Sequence, residues 1–101
     1  MALFQFTEDA QEDLISIWLY TFEAWGEEQA DGYQRKLHDC CQSLADGKQQ
    51  GKNVTGISNV KHRLCEHHFI FFTTSPDGIV ILAVLHERMN LIKRLRDRLS
   101  V

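Results

Sequence analysis

The stretch that most narrows the fold is Ile79–Leu85 (IVILAVL), an unbroken apolar, β-branched run. It follows Ser75-Pro76-Asp77-Gly78 and stops abruptly at His86, Glu87 and Arg88. Seven residues suit a strand better than a helix, and because both parities are apolar the strand reads as buried on both faces. Such a strand obliges the rest of the chain to supply a sheet and a cover for each side. Its sudden polar end is a natural place for a function.

The preceding segments meet the first demand. Val60–Cys65 and His68–Thr74 (HFIFFTT) read as strands joined by a tight turn at Glu66-His67, so the three runs form an antiparallel meander. Phe69/Phe71 and Ile70/Phe72 point to opposite faces, so both sides of the sheet require cover.

The first half is helical. Ala2–Phe6 alternates as a short opening strand, and Thr7 is placed to cap a helix with Glu8, Asp9, Glu12 and Asp13 in its first turns. Leu14, Ile17, Trp18, Thr21, Phe22 and Trp25 recur at helical spacing and read as core. Gly26 ends that helix, and a second runs over 27–46 with Ala30, Tyr33, Leu37, Cys40, Cys41 and Leu44 as its stripe. The short join makes an antiparallel helical hairpin. Asp46–Gly56 is a polar, glycine-rich loop, and Asn90 caps a last helix, Leu91–Leu99. The expected fold is one α+β domain, 1–101: N-terminal strand, helical hairpin, three-stranded antiparallel meander, short C-terminal helix. The hairpin covers one sheet face. The other falls to the C-terminal helix, a second copy or a partner.

Charge is divided along the chain. Residues 1–46 hold ten acids and two bases, residues 47–101 four acids and nine bases. The basic half is the expected docking surface for an anionic partner, whether nucleic acid or an acidic protein segment, unless the two halves simply face each other. No stretch is long and apolar enough to span a membrane and the N-terminus lacks a signal-peptide pattern, which points to the cytoplasm. Three cysteines without framework spacing are expected to be buried, reduced and inert.

Two constellations bear on chemistry. His62, Cys65, His67 and His68 resemble a metal cluster in sequence, but residues about a tight strand turn alternate faces, so no metal and no cofactor is expected. Arg63, His86 and Arg88 form an alternative catalytic set: two cations for a phosphate and a histidine to move a proton in RNA cleavage. The tyrosines, Tyr20 and Tyr33, lie in the helices and are not expected to reach the strand end. Without that second proton-transfer group, docking is the stronger reading.

The whole chain resembles the ParE toxins of the ParE/RelE superfamily. The resemblance is carried by Ala10, Asp13, Leu14, Ile17, Tyr20, Trp25, Gly26, Gln29, Ala30, Tyr33 and Leu37, by Arg63, by Cys65-Glu66-His67-His68 with Phe69–Phe72, and above all by Ile81–Asn90 ending LHERMN. It implies a type II toxin–antitoxin toxin of the plasmid-stabilisation branch, which is not an enzyme, inhibits DNA gyrase and is neutralised by a cognate antitoxin in a hetero-oligomer. It implies no membrane and no sequence-specific nucleic acid. The related RelE branch, a ribosome-dependent mRNA endoribonuclease, is the alternative. Arg63, His86, Glu87, Arg88 and Met89 are the expected target-binding residues. The expected antitoxin surface is Phe69, Phe71, Leu91, Arg94, Leu95, Arg96, Arg98 and Leu99, where an acidic amphipathic segment would lie.

Overall fold

A computed structural model describes residues 2–99, so Met1, Ser100 and Val101 of the expected 1–101 domain lie outside the described residues. Strand β1 (Leu3–Phe6) runs into helix α1 (Glu8–Trp25), whose first turn is capped by Thr7: its hydroxyl oxygen accepts from the Ala10 N–H at 3.1 Å. Helix α2 (Glu27–Ala45) follows after Gly26 alone, which has φ of 93° and closes α1 through an N–H to the Phe22 carbonyl. A side chain at that φ is strained, so glycine permits the abrupt reversal. Strands β2 (Lys52–Asn53), β3 (Lys61–Cys65), β4 (His68–Ser75) and β5 (Gly78–His86) come next, then helix α3 (Leu91–Leu99).

The sheet has five strands in the order β1-β5-β4-β3-β2. The expected antiparallel meander is its centre. To this the structure adds the two-residue β2 on one edge and β1, parallel to β5, on the other. Gly78 lets β1 approach, because a Cβ there would overlap the Leu3 carbonyl.

The two faces have separate cores. Helices α1 and α2 pack Ala10, Leu14, Leu37, Cys41 and Leu44 against Ile70, Phe72, Ile79, Ile81 and Val84. On the other face Val54, Val60 and Leu95 close over Phe71, Ala83 and Leu85. Of the three covers considered for that face, the chain supplies its own: α3 together with the 54–60 loop.

A β-bulge between Phe71 and Phe72 allows this division. Phe71 pairs with Ala83 and Phe72 with Ile81, leaving Leu82 as the extra residue on β5. Before it, Ile79 and Ile81 face the hairpin; after it, Val84 does, while Ala83 and Leu85 face α3. The backbone groups that β5 presents beyond the end of β1 are taken up by side chains. The Leu82 carbonyl accepts from the Thr7 hydroxyl at 3.4 Å and from Arg98 at 3.2 Å, and the Val84 N–H donates to Asp13 at 2.9 Å. Asp13 in turn receives both guanidinium nitrogens of Arg98, at 2.7 and 3.1 Å. This hydrogen bond holds the Arg98 pKa above its ordinary value. The acidic front of the chain and its basic end therefore meet past the edge of β5, where β1 has run out.

One expectation is corrected here. Cys40 and Cys65 form a disulfide that ties α2 to the end of β3, and only Cys41 is a free thiol. Burial pushes the Cys41 thiol up to about 12, which keeps it protonated and unreactive. Two cysteines 25 residues apart on different elements give no sequence signal of pairing.

Candidate functional site

The polar end of β5 lies beside the β3–β4 turn, because the ladder pairs His68 with His86 and Cys65 with His68. Glu66 in that turn has φ of 57°, a conformation side chains seldom adopt. The turn is held from outside: the His67 N–H donates to the Tyr33 hydroxyl oxygen at 3.1 Å, and the Glu87 N–H donates to the His67 carbonyl at 2.9 Å. His67 Nδ1 lies 3.0 Å from a Glu87 carboxylate oxygen.

Tyr33 does reach the strand end, against expectation. Its hydroxyl is 2.6 Å from His68 Nδ1, and the His68 ring meets the His86 ring edge-on at 5.1 Å. The expectation failed because α2 crosses the hairpin face of the sheet, and a tyrosine on it spans the gap to β4. Desolvation, then the neighbouring His86 and His67, lower His68 to about 4, so its ring is neutral near pH 7. Burial also raises the Tyr33 pKa. The result is a hydrogen-bonded Tyr33–His68 pair with His86 against it.

Arg63 is not part of that group. It pairs with Ile70, and Ile70 with Val84, so its Cα is two strands across and two residues along from His86, roughly 12 Å away. Its guanidinium donates to the Gln50 carbonyl at 2.9 Å, which commits it to the loop after α2. His86 Nδ1 accepts from the Arg88 N–H at 3.1 Å, while Glu87, Arg88 and Met89 are exposed. Arg63, His86 and Arg88 therefore do not converge on one point.

The metal-like quartet is likewise dispersed. Cys65 is spent on the disulfide, and His62 lies on the α3 side with its ring 5.2 Å from Phe69, whereas His68 faces the hairpin. The His62 pKa is lowered by desolvation and by Lys52. A depression of about 430 Å³ lined by Asn53, Ile57, Ser58, Asn59, Lys61 and Thr74 borders the sheet. Thr74 is six residues along β4 from His68, about 20 Å from the histidine end.

Of the residues expected to meet an antitoxin, Arg94, Arg96 and Leu99 are exposed and Phe69 and Leu91 half-buried. Phe71 and Leu95 are 1% and 0% exposed and spent within the second core, and Arg98 is held by Asp13.

The surface that sequence reasoning missed is on α1, where only Ala10 and Leu14 are buried. Ile15, Leu19, Phe22 and Trp25 are exposed, and Trp18 stacks on Phe22 at 5.1 Å with its ring N–H donated to Asp31. The signal was present: Ile15 and Leu19 fall off the Leu14–Ile17–Thr21 line that faces the sheet.

The chain matches, over residues 4–91, the family model described as the ParE toxin of the parDE type II toxin–antitoxin system. It is 35% identical to a Toxin ParE of Escherichia coli, with 99% of each chain covered. A Toxin ParE1 of Mycobacterium tuberculosis is 30% identical, with 85% of this chain and 90% of the relative covered. Among solved structures, the fold resembles the chromosomal ParDE system of P. aeruginosa, with a TM-score of 0.73 at 19% identity over 85% of this chain and 96% of the other. The YoeB–YefM complex of Staphylococcus aureus gives 0.57 at 16% identity, covering 86% and 98%.

Proposed function

Because the chain belongs to the ParE family of type II toxin–antitoxin toxins, we propose that it arrests bacterial growth in the cytoplasm by binding and inhibiting DNA gyrase, and that a cognate antitoxin silences it in a hetero-oligomer. The full-length likeness to a Toxin ParE carries this reading. The local geometry favours docking over catalysis. Arg63 is bound to backbone, and the exposed Glu87, Arg88 and Met89 form a rim at the end of a rigid strand rather than the wall of a cleft. Arg63, His86, Glu87, Arg88 and Met89 are the proposed target-binding residues. No helix among the described residues is long and apolar enough to cross a membrane.

The antitoxin is proposed to lie as an acidic amphipathic segment on the α3 side of the sheet. There it meets Phe69, Leu91, Arg94, Arg96 and Leu99. Phe71, Leu95 and Arg98 would join that interface only if α3 lifted from the sheet.

Tyr33 and His68 favour one second reading. A RelE-like endoribonuclease using Arg63, His86 and Arg88 needs another proton-transfer group, and the Tyr33 hydroxyl stands next to His68, whose ring meets His86; Arg63 would have to leave the Gln50 carbonyl to join them. Two purified assays separate the readings. Loss of gyrase supercoiling that is restored by antitoxin, with message left intact in reconstituted translation, is the expected result. Cleaved message with unimpaired supercoiling would refute the gyrase reading.

A further inference from the structure

The exposed face of α1 is an interaction surface in its own right, and its surroundings specify the partner. At about 100° per residue, Ile15, Trp18, Leu19, Phe22 and Trp25 fall on one side of the helix. Ile15, Leu19, Phe22 and Trp25 are 61%, 48%, 44% and 62% exposed. Their accessible area is roughly 400 Å², given that each large side chain offers about 150–250 Å². That is within the range of the largest apolar patch on a typical monomer, which is often a functional one.

The rim is predominantly acidic, with Arg35, one turn from Asp31 on the same face of α2, as the exception. Residues 1–34 contain eight acids and no lysine, arginine or histidine. Glu12 and Glu23 border the stripe on its open side, Glu8 lies at its start, and Glu27 and Asp31 stand on α2. Three occupants are disfavoured by that rim. Anionic lipid headgroups and nucleic acid meet the same charge. A second copy packed face to face across a twofold axis would set glutamates against glutamates. What fits is apolar along its centre and basic on its flanks.

We infer that α1 docks an amphipathic helix of a partner protein, one with an apolar stripe flanked by lysine or arginine. The site lies on the hairpin side of the sheet, opposite the basic α3 side, so the two can be occupied at once by segments of opposite charge. The inference does not depend on gyrase being the target, and its test uses neither gyrase nor antitoxin.

The chain has two tryptophans, Trp18 and Trp25, both on α1, so intrinsic fluorescence of the full-length protein reports occupancy. Two synthetic helical peptides serve as probes: both carry leucines at i, i+3, i+4 and i+7, one with flanking lysines and the other with flanking glutamates. The lysine peptide is expected to give a saturable blue shift that weakens with salt, and the glutamate peptide none. Leu19→Gln with Phe22→Gln, exposed positions that leave the fold intact by circular dichroism, should weaken binding about tenfold. Glu12→Lys with Glu23→Lys should transfer the preference to the glutamate peptide. Equal binding of both peptides, binding unaffected by the glutamine pair, or no shift with either peptide would overturn the inference. So would a blue shift that grows with protein concentration alone and accompanies a dimer mass.

Discussion

Removing the Asp13 carboxylate should loosen the joint between the two ends of the chain more than an ordinary surface ion pair would. Asp13 accepts three hydrogen bonds: one from the Val84 N–H, which lies past the end of β1, and two from Arg98. Asp13→Ala leaves the Val84 donor without an acceptor in a part-buried position, at a cost of about 1–3 kcal/mol. Loss of the bidentate pair adds about 1 kcal/mol, a figure discounted for water because the side chains are 15% and 22% exposed. The sum, about 3 kcal/mol, corresponds to a fall in Tm on the order of 15 °C for a chain of this size. Asp13→Asn keeps an oxygen for Val84 but lowers the charge, and should cost only about 1 kcal/mol. Arg98→Ala should cost about 1–2 kcal/mol, and the Asp13/Arg98 double-mutant cycle should show about 1 kcal/mol of coupling. Urea or thermal denaturation followed by circular dichroism measures all four. The reasoning fails if Asp13→Ala and Asp13→Asn cost the same, or if both lie within about 0.5 kcal/mol of the parent.

Two further outcomes follow from the strand-end geometry. His68 is held near 4 in the folded protein against 6.5 for an ordinary histidine, so as pH falls through that window the unfolded chain takes up a proton that the folded chain refuses. Stability should therefore drop between pH 6.5 and 4, by about 1–2 kcal/mol once the shift is discounted for the part of the ring that water reaches; equilibrium denaturation at stepped pH should show the slope, and His68→Gln should flatten it. The Cys40–Cys65 bond closes a 25-residue loop, worth about 3 kcal/mol by loop entropy. Reductant or Cys40→Ser should lower the melting temperature, and thiol titration under denaturing conditions should rise from one group to three on reduction.

The sequence displayed its local structure well and its long-range pairings poorly. Helix α3, the meander and the Gly26 reversal follow from spacing and turn chemistry, because caps, periods and glycines act over a few residues. The parallel placement of β1 beside β5 has no local signature, since its partner lies more than 70 residues away. Nor does periodicity separate a buried stripe from an exposed one when both are apolar, which is why the exposed Phe22 and Trp25 read as core beside Leu14. The reach of Tyr33 depends on the angle at which α2 crosses the sheet, which no local spacing encodes. The same holds for the pairing of Cys40 with Cys65.

The bulge at Leu82 makes β5 a strand with two reading frames. Upstream of it, odd-numbered residues face the hairpin; downstream, even-numbered ones do. Because Leu82 is absorbed by the bulge, its deletion would leave Ala83, Val84, Leu85 and His86 on their present faces. One further residue inserted after it, with no second bulge to absorb it, would turn His86 towards α3 and Ala83 and Leu85 towards the hairpin. Insertions between Ile81 and Ala83 are therefore the changes this toxin should tolerate least, and loss of Leu82 itself should be tolerated better than gain of a neighbour.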